Sequence, residues 1–159
     1  EKAARGGLRL PVKSIFTRLG DPLAERGEVE WLTNHQPRRR FPWGDEPAKP
    51  ERANYKKTGI GRISPAGVFP VGAGPYGALD LSGNVWEWTR SLWKDYPYPA
   101  AGPARVSRED LKAGPNEGRV IRGYSYYGNR TGVRCAYRFR DAPHGLVRHY
   151  GFRVVVSPL

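Results

Sequence analysis

Apolar and polar residues follow no sustained helical or strand period along this chain of 159 residues. The clearest strand signals are two runs rich in β-branched residues, RVIRG at 119–123 and YGFRVVV at 150–156. VRCAYRFR, at 133–140, alternates small or apolar with basic residues and predicts a third strand, while GVFPV predicts a short one at 67–71. EKAARGG, at 1–7, predicts the last turn of a helix closed by glycine, and SREDL predicts a helical turn at 107–111.

Loops dominate the prediction because twenty glycines and fifteen prolines interrupt the chain. FPWGDEP, at 41–47, is typical of a turn around a buried aromatic pair. Residues 8–40 mix charges, prolines and few apolar residues without a period, which predicts a long loop or insertion. The length fits a single domain over residues 1–159.

The formal net charge of +12 raises nucleic acid as a partner. The basic residues are spread along the chain, however, and no helix-turn-helix, zinc-finger or RNA-binding signature accompanies them. Nucleic acid is therefore not the predicted partner, and no apolar run is long enough to span a membrane. The lack of Met, the single Gln36 and the excess of Arg over Lys suggest a heat-adapted host, a thermophile. The sequence indicates no compartment.

Several motifs occur in an order that carries a family resemblance. EKAARGG, FPWGDE, AN at 53–54, YGALDLSGNVWEW at 76–88, VIRGYS, RCAYR and the terminal GFRVV resemble the formylglycine-generating enzyme family over most of the chain, residues 8–40 excepted. The resemblance implies an α+β, C-type-lectin-like fold, with a small mixed sheet and long structured loops. The match begins partway into the family domain, so we expect an N-terminal portion of that domain to be missing from this sequence.

The enzymes of this family use two cysteines, which lie between an RGGS block and the RCAYR block. The corresponding interval here is YYGNRTGV, at 126–133, and it holds no cysteine. Cys135 matches the cysteine of the RCA block, which is outside that pair, and is predicted to be a small buried hydrophobe. His35, His144 and His149 are too scattered to predict a metal triad. The sequence therefore predicts that this protein is not an enzyme.

One branch with this fold, the variable proteins of diversity-generating retroelements, ends in a similar segment. Template adenines are randomised in that branch, chiefly in AAY codons, which cannot yield Lys, Glu, Gln, Met or Trp. Residues 122–159 contain none of these five types, although the preceding residues contain seven Lys, nine Glu, five Trp and one Gln. Tyr supplies rigid amphipathic contact area and Arg supplies forked donors, which suits binding. Residues 122–155 are therefore the predicted variable region.

The candidates for the variable, ligand-binding face are the polar and aromatic positions between the motif residues, namely Tyr124, Tyr126, Tyr127, Asn129, Thr131, Tyr137, Phe139, Asp141, His144, Leu146, His149 and Tyr150. The motif residues are predicted to be scaffold: Arg122, Gly123, Ser125, Arg134, Ala136, Arg138, Gly151, Phe152 and Arg153. For each aromatic residue taken alone, partial packing in the core is the alternative.

The family resemblance also implies a structural calcium site in DLSGNVWEW. Its ligands would be the Asp80 and Glu87 side chains and the backbone carbonyls of Gly83 and Val85, because hard oxygen donors suit calcium. The alternative is that both carboxylates cap the loop or pair with arginines without a metal. A second family site is weaker, since GIGRIS at 59–64 lacks the acidic ligand it needs. Three tryptophans are predicted to be core rather than a sugar-binding platform: Trp43, Trp86 and Trp88.

The predicted function is ligand binding without catalysis, with a protein as the partner. Two alternatives stay open. The first is an oxidase of the formylglycine-generating type or a relic of one, acting with a metal through its histidines. The second is a sensory module fused to a domain that this sequence does not include, such as a kinase.

Overall fold

The computed structural model describes residues 2–5, 7–11, 31–98, 103 and 108–154. The elements with described bounds are one short helix, two single turns of 3-10 helix and six short strands, and residues 103 and 108 are also helical. The helix α1 is Lys2–Arg5, and the 3-10 turns are Lys56–Thr58 and Pro70–Gly72. The strands are β1 (Arg9–Pro11), β2 (Trp31–Thr33), β3 (Trp86–Leu92), β4 (Arg119–Arg122), β5 (Phe139–Asp141) and β6 (Tyr150–Gly151).

The main sheet is small and mixed, with the strand order β5-β4-β3-β6. Strands β3 and β4 are antiparallel, with Trp88 opposite Ile121, and their register shifts before Leu92 is reached. Strand β5 is antiparallel to β4, whereas β6 runs parallel to β3 with Tyr150 opposite Trp86. The sheet therefore brings the ends of the predicted variable region to both sides of β3.

Strand β4 confirms the prediction for RVIRG, whose branched residues suit a buried strand: Val120 and Ile121 are almost fully buried. VRCAYRFR was predicted as a strand over 133–140, but residues 133–136 form turns and β5 begins only at Phe139. The early part of that segment turns because Tyr137 N–H bonds back to the Arg134 carbonyl at 3.0 Å. The longest strand, β3, was not predicted.

GVFPV is not a strand. Gly67 has a φ of +85°, outside strand geometry, and Pro70 begins a 3-10 turn because its ring fixes φ near the helical value. Strand β6 confirms only the start of the predicted run at 150–156, whose last two residues lie outside the described ones. EKAARGG does contain the predicted helical turn, and the described part of SREDL is helical at residue 108 alone.

Residues 8–40 contain a two-stranded ribbon as well as loops. Strands β1 and β2 pair antiparallel, with Leu10 opposite Leu32, while residues 12–30 lie outside the described part of the chain. Asn34 fastens the ribbon to the helix, because its buried side-chain amide donates to the carbonyls of Arg5 and Gly7 at 3.2 and 2.7 Å.

A hydrophobic core cluster joins the loops that precede β3 to the variable region. The FPWGDEP turn holds the predicted aromatic pair: Phe41 is buried and stacks on Trp43 with ring centroids 5.1 Å apart. Tyr55 is 1% exposed and donates its hydroxyl to the Ala48 carbonyl at 3.0 Å, which satisfies its polar end in the core. Val133 completes this cluster, so the turn and the variable region share one core.

A buried polar network fixes the loop that leads into β3. Asn84 has a φ of +65°, and its side-chain oxygen accepts the Ser64 N–H at 2.9 Å while its amide donates to the Ser64 carbonyl at 3.1 Å. Gly83 packs against the Asn54 backbone so closely that any Cβ would overlap it. Glycine and asparagine are thus required here by backbone geometry.

Candidate functional site

Four rings of the predicted variable face lie side by side on one surface, which we call the aromatic surface: Tyr126, Tyr127, His149 and Tyr150. Neighbouring rings meet edge to face, with centroids 5.5 Å apart for Tyr126 and Tyr127, 4.6 Å for Tyr127 and His149, and 5.0 Å for His149 and Tyr150. Edge-to-face contacts of this kind add to the energy of area burial. The sheet creates the arrangement because β6 carries Tyr150 alongside β3.

Hydrogen bonds hold the aromatic surface in place. The Tyr127 hydroxyl and His149 Nε2 are 2.7 Å apart, and the Tyr150 hydroxyl donates to Asp141 Oδ2 at 2.6 Å. Trp88 supports the surface from β3, with its ring 5.5 Å from that of Tyr150. The rings are therefore preorganised for binding, with part of their ordering cost already met in the fold.

Two titratable groups of the aromatic surface, His149 and Tyr150, favour their neutral forms. Burial, and then the charge of Arg148, lowers the pKa of His149 below its usual value. Burial, followed by the hydrogen bond and the charge of Asp141, raises the pKa of Tyr150. At neutral pH these two residues therefore offer an uncharged imidazole and an uncharged phenol, which suits hydrogen bonding and apolar contact.

The predicted positions of the variable face differ in exposure. Tyr127 and Phe139 are about half exposed, at 51% and 50%, and Leu146 is almost completely exposed at 99%. Asn129 and Thr131 share an exposed loop in which Asn129 Oδ1 accepts the Thr131 N–H at 3.0 Å. His144 is exposed and its Nδ1 lies 3.2 Å from the Pro115 carbonyl, so it belongs to a separate turn.

Two of the predicted face residues pack inward. Tyr124 has a φ of +68°, and its ring lies 4.8 Å from that of Trp86 and 5.1 Å from that of Tyr137. A Cβ on Gly128 or on Gly132 would overlap the Tyr124 ring. Both tyrosines therefore follow the alternative of partial core packing. Trp86 is likewise core at 5% exposed, while Trp43 and Trp88 are half-buried.

Arginines of the predicted scaffold tie the loops together through main-chain oxygens. Arg122 Nη1 lies 3.1 to 3.2 Å from the carbonyl oxygens of residues 135, 136 and 137. Arg138 lies over the rings of Trp93 and Tyr96, 4.1 and 4.0 Å from their centroids. Trp93 and Tyr96 were not predicted to have a role, and the spacing of the aromatic residues in WKDYPYP is the sequence pattern that could have indicated one.

The four residues of the implied calcium site line one open cleft of about 480 Å³, together with Arg153. Asp80 Oδ2 accepts the Gly67 N–H at 2.6 Å. Arg153 enters the cleft from the end of β6: its Nε donates to Glu87 Oε2 at 2.6 Å, its Nη2 bonds to Glu87 Oε1, and its terminal nitrogens bond the Leu79 and Asp80 carbonyls at 3.1 and 2.8 Å. The Glu87 hydrogen bonds raise the pKa of Arg153.

This residue set fits calcium in kind, because Asp80 and Glu87 carry carboxylates, Gly83 and Val85 carry backbone carbonyls, and all four residues line one cleft. Arg153 already neutralises Glu87, however, so a calcium ion there would compete with the guanidinium for the same oxygens. The described residues bring no three His, Cys, Asp or Glu side chains together as a metal cluster.

Cys135 is 7% exposed, as expected for a small buried residue. No helix in the described ranges has the length and hydropathy to cross a bilayer.

The mixed sheet, the few short helices and the long hydrogen-bonded loops define a C-type-lectin-like domain of the formylglycine-generating enzyme type. The model of the sulfatase-modifying factor enzyme 1-like domain matches residues 1–158, and the chain belongs to this family.

The relatives by sequence include an oxygenase, a formylglycine-generating enzyme and a protein kinase. Hercynine oxygenase of Mycobacterium tuberculosis is 35% identical over 142 residues, covering 89% of this chain and 31% of that protein. Serine/threonine-protein kinase pkn1 of Chlamydia caviae is 34% identical over 151 residues, covering 92% of this chain and 21% of that protein. Formylglycine-generating enzyme of Thermomonospora curvata is 31% identical, covering 99% of this chain and 52% of that protein. The chain thus spans less than a third of the hercynine oxygenase that it matches.

Two solved structures have a similar fold. Treponema denticola variable protein 1 is similar with a TM-score of 0.50 and 24% identity, over 64% of this chain and 34% of that one. PvdO from Pseudomonas aeruginosa is similar with a TM-score of 0.54 and 28% identity, over 67% of this chain and 40% of that one. Because Treponema denticola variable protein 1 is only 24% identical, its similarity to this chain shows a shared fold alone.

Proposed function

We propose that this domain is a ligand-binding module without catalytic activity, and that it presents a diversified surface to a protein partner. The observation that carries the proposal is the aromatic surface, whose rings are ordered in the free protein and include Tyr127 at 51% exposed. Preorganised tyrosines lose little entropy on binding and are common in binding hot spots. Phe139 and Leu146 add exposed apolar area.

The variable protein of a diversity-generating retroelement is the kind of binding module that we propose. The fold similarity to Treponema denticola variable protein 1 supports it, as does the lack of Lys, Glu, Gln, Met and Trp in residues 122–159. Sequencing the 3′ end of the gene across a host population tests the proposal. We expect substitutions at adenine-derived codons between residues 124 and 150, with GFRVV unchanged. An invariant segment would count against diversification.

An oxidase of the formylglycine-generating type, or a relic of one, is the second candidate, because the family includes the Thermomonospora curvata enzyme and hercynine oxygenases. The cysteine-free interval at 126–133 argues against it, since the formylglycine-generating enzymes that this chain resembles use a cysteine pair in that interval. Incubation with a cysteine-containing sulfatase peptide distinguishes the two: we expect no conversion to formylglycine, and turnover would refute the binding-only function.

A module joined to a further domain is compatible with binding, because the similar kinase of Chlamydia caviae is much longer than this chain. Reading the full-length gene tests this arrangement. If the same gene encodes a kinase domain, ligand binding at the aromatic surface would regulate that kinase.

We also propose a structural calcium ion held by Asp80, Glu87 and the carbonyls of Gly83 and Val85. Calcium would crosslink the loop before β3 and would supply no reaction chemistry. Isothermal titration with calcium chloride tests the site. A Glu87→Gln variant should lose binding, whereas an Asp110→Asn variant, which changes an exposed carboxylate elsewhere, should retain it.

A further inference from the structure

A second cleft lies between the FPWGDEP turn and the loop that carries Asn129. Its volume is about 510 Å³. The side chains that line it are Arg40, Phe41, Pro47, Ala48, Arg130, Thr131 and Arg134. Arg130 and Arg134 therefore converge with Arg40, which is distant from them in sequence, on one concave site.

These three arginines have no carboxylate partner among the described residues. Of the nearby acids, Glu46 pairs with Arg52, whereas Asp45 accepts the backbone N–H of Arg40 at 2.7 Å and so places one negative charge beside the cleft. No acidic residue is among the described residues lining the cleft. Three guanidinium groups line the cleft and Asp45 supplies one neighbouring carboxylate, so the described residues leave an excess of positive charge there, which attracts anions.

The walls of the cleft are ordered. Phe41 is 5% exposed, and the Cys135 N–H bonds to the Arg40 carbonyl at 2.8 Å, which joins the two sides of the cleft. Arg134 Nε donates to the Thr131 carbonyl at 2.6 Å, so one guanidinium is held in a fixed orientation.

We propose that this cleft binds an oxyanion, namely a carboxylate or phosphate group. The planar forks of arginine match both groups with paired hydrogen bonds, and Phe41, Pro47 and Ala48 supply an apolar wall beside the charges. The site does not depend on the proposed partner protein, since small anions alone can occupy it.

Isothermal titration with inorganic phosphate and, separately, with succinate tests the proposal at constant ionic strength. We expect saturable binding of at least one anion, weakened about tenfold or more in an Arg40→Gln/Arg130→Gln variant. An Arg62→Gln/Lys112→Gln variant loses the same charge at exposed positions outside the cleft and should bind within about twofold of the original protein. Tighter phosphate binding would identify a phosphate group, and tighter succinate binding a carboxylate.

Two outcomes would overturn the site. One is no saturable heat with either anion up to about 10 mM, a range that covers weak small-molecule binding. The other is an equal loss of affinity in both double variants, which would mean that net charge alone attracts the anion. Because Arg40 and Arg130 are exposed, their replacement should not unfold the protein. An Arg130→Lys variant provides a second check, since it keeps the charge and removes the fork, and undiminished affinity there would contradict paired hydrogen bonding.

Discussion

The Arg153–Glu87 pair allows a quantitative test of how the C-terminal end of the fold is fastened to β3. Glu87→Gln keeps the shape of one partner, and Arg153→Met keeps most of the aliphatic stem of the other. The two single variants and the double variant form a double-mutant cycle that isolates the pair. The Glu87 side chain is 19% exposed and the Arg153 side chain 35%, so water screens the pair only in part.

The expected coupling energy lies between two limits. Exposed ion pairs contribute about 0 to 1 kcal/mol. Removing one partner of a fully buried pair costs about 3 to 5 kcal/mol. Arg153 forms paired hydrogen bonds with Glu87, and partial exposure reduces their value, so we expect a coupling of about 1 to 2 kcal/mol. For a domain of this size, that energy corresponds to about 2 to 8 °C in the midpoint of thermal unfolding.

Urea unfolding of the four proteins measures the coupling, provided that the m-values agree. A coupling within about 0.3 kcal/mol of zero would show that the pair is only a surface contact, and would refute the reasoning. Repeating the cycle in the presence of calcium tests whether calcium and the Arg153 guanidinium compete for the Glu87 oxygens. If calcium binds there, it should stabilise the Arg153→Met variant more than the original protein, because the guanidinium no longer occupies the Glu87 oxygens.

Three further predictions concern the variable region. Gly128→Ala should destabilise the fold by about 1 to 3 kcal/mol through overlap with the Tyr124 ring, and most of that cost should disappear in a Tyr124→Ala background when both are compared by urea unfolding. Lowering the pH from about 7.5 to about 5.5 should reduce the melting temperature, because the folded protein holds the His149 proton less readily than the unfolded chain does; a His149→Gln variant should show a smaller reduction, and an equal one would contradict the low pKa. Tyr127→Ala should change stability little but weaken a partner selected by display by more than about 1 kcal/mol in affinity, whereas unchanged affinity would place the binding face elsewhere.

The fold could be predicted in class but not in detail. RVIRG could be predicted as a strand because its β-branched residues favour that conformation, and the structure buries them within the single strand β4. Strand β3 was missed because WEWTRSL mixes buried, half-buried and exposed residues without alternation, and its pairing depends on partners distant in sequence. The strand predicted at 67–71 failed because a proline and a glycine with positive φ override local apolar content.

The candidate site shows the same limit. Composition indicated the segment that carries the tyrosines, yet Tyr124 and Tyr127 are identical residues in similar local sequence. Tyr124 packs inward because its left-handed backbone and two nearby glycines make room for its ring, and Tyr127 faces solvent beside His149. The arginine cleft was also invisible in the sequence, because Arg40 and Arg130 meet only after the FPWGDEP turn packs on the variable region.

The way the scaffold holds this region is compatible with sequence variation. Arg122 bonds to the carbonyl oxygens of residues 135, 136 and 137, and Asn84 accepts the Tyr126 N–H through its own carbonyl at 3.0 Å. Every amino acid carries these carbonyls, and every amino acid except proline carries the N–H. A new side chain at Tyr126 or Tyr137 would therefore leave those bonds intact. At Tyr137 an exchange would still remove the ring contacts with Trp86 and Tyr124, so the low cost to the fold that a diversified binding face requires applies to side chains outside the core, such as Tyr126.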